Sequence, residues 1–161
     1  MEITSEIIIH AARQGRADVL QEIVRTGAGL DVRDEKGYTP LIIACYNNRY
    51  DAAKFLLDHG ADINDYDSGG NTALMGAAFK GFSDIAELLI SRGADLNRQH
   101  GNGGTALMFA AMFGRNELMR LLLNHGAKLD IRDARGLTVQ EIAEQQGNED
   151  GVAILSTFQT F

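Results

Sequence analysis

Tryptophan is missing from this chain, proline occurs once at Pro40, and cysteine once at Cys45. A lone cysteine closes no internal disulfide, which excludes a disulfide scaffold. One proline beside 18 glycines excludes a collagen-like or Pro-rich linker, because both need proline in quantity. No apolar run approaches the ~18–20 residues that span a bilayer. Cations are the minority: 15 Lys and Arg against 22 Asp and Glu leave a net charge of −7. That balance argues against a general nucleic-acid binder, whose affinity comes from cationic contacts to phosphate. It argues equally against docking on anionic lipid. The start, Met1-Glu2-Ile3-Thr4-Ser5-Glu6, is acidic where a secretory signal is basic. The expectation is a cytoplasmic protein with neither nucleic acid nor membrane as partner. Its 161 residues suffice for one core-bearing domain.

The glycines are phased. Gly27, Gly60, Gly93 and Gly126 are 33 residues apart, and each is followed by Ala. Gly37, Gly70, Gly103 and Gly136 keep the same step, as do Thr39, Thr72, Thr105 and Thr138. A further series runs Gly15, Asn48, Gly81, Gly114, Gly147. Twelve of the 18 glycines fall into these series, so the composition reflects one unit written about five times. The units are 1–33, 34–66, 67–99, 100–132 and 133–155, with a tail at 156–161, and together they make one domain.

Residues 34–66 show the chemistry of a unit. Asp34-Glu35-Lys36-Gly37 is turn-forming. Thr39-Pro40 is a helix start, with a capping hydroxyl followed by proline in the first helical position. A short helix follows with Ala44 and Cys45 as small residues, and Asn47-Asn48 breaks it. A second helix spans roughly Asp51 to Asp58 with Ala52, Phe55 and Leu56 at helical spacing. Gly60 then supplies the left-handed cap. One unit cannot bury its own apolar faces, but stacked units cover each other. Small residues, Ala77-Ala78 and Ala110-Ala111, bring the first helices close together. Leu88-Leu89 and Leu121-Leu122 hold the second helices apart. The stack curves with its small-residue helices on the concave side.

Gly-x-Thr-Pro-Leu at Gly37 to Leu41, Gly-x-Thr-Ala-Leu at Gly70 to Leu74 and Gly103 to Leu107, and Leu-Leu-x-x-Gly-Ala-Asp before the loops resemble ankyrin repeats over roughly residues 3–155. The resemblance implies an all-α solenoid of stacked helix-turn-helix units with projecting loops or short β-hairpins. It also implies a non-enzymatic protein–protein interaction module that works through its loop tips and concave face. The Ala-Leu-Met variant is similar to ankyrin proteins common in bacteria. Among those, dedicated inhibitors or immunity proteins and stress-linked accessory proteins of an enzyme or toxin are the alternative role. The family's usual His stands here as Ile42, Met75, Met108 and Glu141, which implies a looser network between loop tips. The ends differ as caps should: Glu141 can complete a capping box with Thr138. Gly151 weakens the last helix by ~1 kcal/mol relative to Ala. The tail has three readings: Phe158 or Phe161 folds back as a lid, the segment is disordered, or it is a peptide ligand for another protein.

The residues just before each reversal align along the concave side: Tyr46-Asn47, Phe79-Lys80 and Met112-Phe113 in the middle units. Tyr38 and Tyr66 add aromatics near the tips. Aromatic residues and Met are typical interface anchors. The competing reading packs them between units as ordinary core. The row spans ~30 Å at ~8–10 Å per helix, which suits an interface of ~800 Å² per partner. The expected partner is another protein, bound by a monomer. Residues 100–132 are basic, with four cations against two anions, and suit an acidic patch on a partner.

No catalytic, metal-binding or cofactor-binding residue is expected. His59 and His125 sit at equivalent helix ends, where the dipole favours a cation. They lie ~20 Å apart, too far to share a metal. His100 replaces the Asp found at Asp34, Asp67 and Asp133, which makes it a loop residue. Cys45 occupies an alanine register and reads as buried, with no phased His to activate it. Gly101-Asn102-Gly103-Gly104 lacks the Gly-Lys-Ser/Thr ending of a phosphate loop.

Overall fold

The computed structural model describes residues 2–159. Each phased threonine starts a helix. Its hydroxyl oxygen accepts from the backbone N–H three residues on: Thr39 from Ile42 at 3.2 Å, Thr72 from Met75 at 3.3 Å, Thr105 from Met108 at 3.3 Å and Thr138 from Glu141 at 3.4 Å. Each such cap is worth about 1 kcal/mol. The helices that follow are α3 (Pro40–Tyr46), α5 (Ala73–Lys80), α7 (Ala106–Met112) and α9 (Val139–Gln145). The first unit lacks the Gly-x-Thr start, and α1 (Ser5–Arg13) is capped instead by Thr4. Each of these inner helices reverses into an outer one: α2 (Ala17–Arg25), α4 (Tyr50–Asp58), α6 (Ser83–Ser91), α8 (Asn116–Asn124) and α10 (Glu149–Phe158).

The pairs stack in chain order. Inner helices pack on each other more extensively than outer ones do. Ala44, Ala77, Ala78, Ala110 and Ala111 are fully buried between them, and side chains this small allow the closer approach. The outer layer is separated by larger buried residues, Leu56, Ile85, Leu89 and Leu122. A stack closer on one side curves toward it, so the inner helices form the concave face. The architecture is the all-α solenoid expected. Among the described residues the only β feature is an isolated bridge between Tyr66 and Thr72, so the tips are loops rather than hairpins.

The loop tips are tied more firmly than the missing His implies. A backbone ladder joins successive tips: Ser68 N donates to Lys36 O at 3.0 Å, Gly101 N to Gly69 O at 2.9 Å and Ala134 N to Asn102 O at 2.9 Å. Arg33 bridges Gly37 O and Tyr66 O, and Gln99 bridges Gly103 O and Arg132 O. Met75 also takes over part of a capping role, its sulfur accepting from Thr72 N at 3.4 Å.

At the C-terminal end, residues 156–158 of the expected tail are helix. Helix α10 runs through Phe158, which packs partly buried against the core, and Phe161 lies outside the described residues. Gly151 has a structural reason. It is buried, and a Cβ there would come within 2.4 Å of the Asn148 amide. That amide donates to Ala111 O and to Asn116, and its oxygen accepts from Gly151 N. The helix propensity lost at Gly151 makes room for a hydrogen-bonded tie to the preceding pair.

Candidate functional site

Tyr46 closes α3, Phe79 lies in the last turn of α5, and Phe113 caps α7. Their 33- and 34-residue spacings place one ring on each of three neighbouring inner helices. The rings touch in sequence. Tyr46 and Phe79 are stacked with centroids 6.2 Å apart, and Phe79 meets Phe113 edge-on at 4.6 Å. Tyr46 is 42% and Phe113 43% exposed, among the few large hydrophobic residues left in solvent. The Lys80 ammonium sits 4.9 Å from the centre of the Tyr46 ring, a cation–π contact. Tyr46, Phe79, Lys80 and Phe113 therefore form one continuous surface.

The other residues singled out from the sequence are placed differently. The Asn47 side chain donates to Ile43 O at 2.7 Å and serves its own helix end. Tyr66 is exposed at a loop tip, with the Arg98 guanidinium 4.9 Å from its ring centre, outside the aromatic row. Tyr38 is partly buried against the core and borders the groove between the first two units. Met112 is partly buried and lines a separate hollow with His100, Met108 and Phe109.

Two features escaped the sequence reading. Gly76 stands at the register of Ile43, Phe109 and Ile142, on the exposed side of α5. Lacking a side chain, it leaves a hollow of about 290 Å³ walled by Tyr46, Phe79 and Phe109. The signal was present: one unit carries Gly where its neighbours carry Ile and Phe. The second feature is His100, whose ring lies tilted against Phe109 with centroids 5.0 Å apart. In equivalent turns Asp34, Asp67 and Asp133 each accept from two backbone N–H groups at 2.9–3.0 Å. His100 Nδ1 accepts one, from Asn102 N, at 3.4 Å. Burial pushes its pKa below the ordinary 6.5, against the opposing pull of Asp67 and Asp133.

The titratable groups do not converge on a reactive centre. Cys45 is fully buried among apolar side chains, and burial pushes its thiol up to about 12. A thiol so protonated is no nucleophile. His59 and His125 each use Nδ1 on a carbonyl in their own helix, Phe55 O and Leu121 O, both at 2.9 Å. Among the described residues no group of His, Cys, Asp and Glu is arranged to hold a metal ion. None of the helices among those residues is long and apolar enough to cross a membrane.

A family model described as ankyrin repeats in three copies matches residues 8–100. A second, described as ankyrin repeats in many copies, matches residues 89–143. No curated protein matches the chain. The first match alone spans more than half of the sequence. The chain therefore belongs to the ankyrin-repeat family.

Proposed function

We propose that this protein binds a partner protein through its concave face and catalyses no reaction on it. Ankyrin repeats are in general protein–protein interaction modules, and that supports the broad reading. The observation that carries the specific one is the row Tyr46, Phe79, Phe113. Phe79 meets a ring on either side and is half-buried, while the two outer rings, Tyr46 and Phe113, stay exposed. Core packing alone would have buried the outer two, and a contiguous apolar surface of this kind marks an interaction site. Lys80 adds a charged flank, and Met112 and Tyr38 border the neighbouring hollows. The stack holds the row preorganised, so little side-chain entropy is lost when a partner docks.

The double substitution Phe79→Ala and Phe113→Ala tests the reading. Capture of protein partners from the native source should be abolished while the thermal midpoint moves little. Retained capture would place the interface elsewhere, and a large fall in midpoint would make the two rings core.

A further inference from the structure

The concave row lies on a cationic edge of an acidic protein. Of the five helix reversals, the first four, at residues 13–16, 46–49, 79–82 and 112–115, hold five basic side chains, Arg13, Arg16, Arg49, Lys80 and Arg115, and no acidic one, and the fifth, at 145–148, is uncharged. Arg16 is paired with Asp18 at 2.9 Å. The other four have no ion-pair partner among the described residues. The helix dipole accounts for Arg13 and Lys80, which stand in the last turn of α1 and α5. It works against Arg49 and Arg115, the N-cap residues of α4 and α8, where an anion or a short polar side chain is favoured. Each of those two guanidiniums spends only Nε on the protein, donating to Arg13 O or Phe79 O. Their terminal nitrogens, the Lys80 ammonium and Arg13 remain available along this edge, with Lys80 over the Tyr46 ring and Arg115 bonded at Phe79 O.

The hollow over Gly76 has the opposite character. Asp67 is the one formally charged residue lining it, and its carboxylate is turned into its own loop by Gly69 N and Asn71 N. The remaining wall is mostly apolar, from Ile42, Ile43, Met75 and the rings of Tyr46, Phe79 and Phe109, with Tyr38, Asn71 and Thr72 adding uncharged polar groups. A volume of about 290 Å³ gives room for one large uncharged side chain.

Resting on the reading of the concave row as the docking surface, we infer that its occupant is an acidic partner segment bearing an aromatic anchor. The anchor enters the hollow over Gly76, and flanking carboxylates pair with Lys80, Arg13 and Arg115. Electrostatic complementarity then sets selectivity and association rate, while the buried ring supplies most of the affinity.

The probe is a library of short random peptides displayed on phage, selected against the wild-type protein. The expected peptides are net acidic and carry at least one aromatic residue. A synthetic copy of a recovered peptide should bind more weakly as salt is raised, because exposed charge pairs are screened. Its affinity should fall about tenfold for the Arg13→Glu, Lys80→Glu double variant. The variant Gly76→Leu, which fills the hollow, should bind it about tenfold more weakly or worse. Neutral or basic peptides, an empty selection, or affinity indifferent to both salt and charge reversal would overturn the inference. Non-acidic peptides whose binding still depends on Phe79 and Phe113 would overturn it while leaving the docking surface standing. Acidic peptides indifferent to Phe79 and Phe113 would overturn both. Salt dependence is read on the wild-type protein, so a misfolded variant does not remove the test.

Discussion

At the scale of single residues, His100 does less well the turn-closing task its aspartate counterparts perform. Its Nδ1 can accept from Asn102 N only while it carries no proton, and the ring is wedged against Phe109. Its folded pKa lies below the ordinary value of 6.5 because burial penalises the charged ring. The unfolded chain therefore binds a proton that the folded chain resists. The stability contributed by this group is complete above that ordinary value and is lost as pH falls toward the folded one. The thermal midpoint measured from pH 7 downward should fall less steeply for His100→Asp than for the wild type. Equal slopes would show that the ring titrates as freely folded as unfolded.

At the scale of the element, the reversals between helices show why glycine is needed at some registers and merely suitable at others. Gly81 has a φ of +80°, and a Cβ there would lie 2.8 Å from the Arg115 Cδ. Gly114 has a φ of +68° and open space around it. The difference comes from the next unit. Arg115 crosses Gly81 to reach Phe79 O, whereas Asn148 stands at the corresponding place beyond Gly114 and reaches Ala111 O instead. At the same register Asn48 has a φ of +58°, and the next unit carries Phe82 at the position that Arg115 holds beyond Gly81. Both Gly81→Ala and Gly114→Ala should cost stability through backbone strain. Gly81→Ala should cost on the order of 1 kcal/mol more, from the clash with Arg115. Urea melts of the two variants check this, and adding Arg115→Ala should remove the excess.

For the whole molecule, the ends decide whether a stack is finite. Leu107 and Ala111 are buried, and the residues at their register in the last pair are Gln140 and Glu144, which bond to each other at 3.1 Å across the end face. A chain cut after residue 132 uncovers the apolar face. Exposing Leu107 alone sacrifices about 1.5–3 kcal/mol. The truncated chain should aggregate or lose its cooperative melt. Restoring the end chemistry with Leu107→Gln and Ala111→Glu should return a soluble monomer by size-exclusion chromatography with light scattering. Aggregation that persists in the repaired truncation would show that α9 and α10 supply more than a polar cover.

Much of this architecture could be read before any coordinates, because a repeat states each local rule several times. The threonine caps, the broken helix at Asn47-Asn48, the buried Cys45 and the capping box of Glu141 with Thr138 follow from local chemistry and depend little on neighbours. The candidate site was legible only as a register. Equivalent positions such as Asn47, Lys80 and Phe113 have different roles, because each is fixed by the unit beside it. Asn47 turns back on its own helix, Lys80 lies over the ring of the preceding unit, and Phe113 leans on Phe79. Tyr66 stays at its loop tip beside Arg98, and Gly76 is visible in the sequence only as a departure from the Ile and Phe of its neighbours.

The sequence by itself determined the helices, their order and their stacking in single file, since caps, small residues and glycines act within a unit or between identical units. Tertiary structure alone decided which aromatic rings touch, where the hollow opens and which cations remain unpaired. Those outcomes depend on side chains 30 or more residues apart meeting across a helix interface, and no rule within one unit specifies its neighbour's side chain.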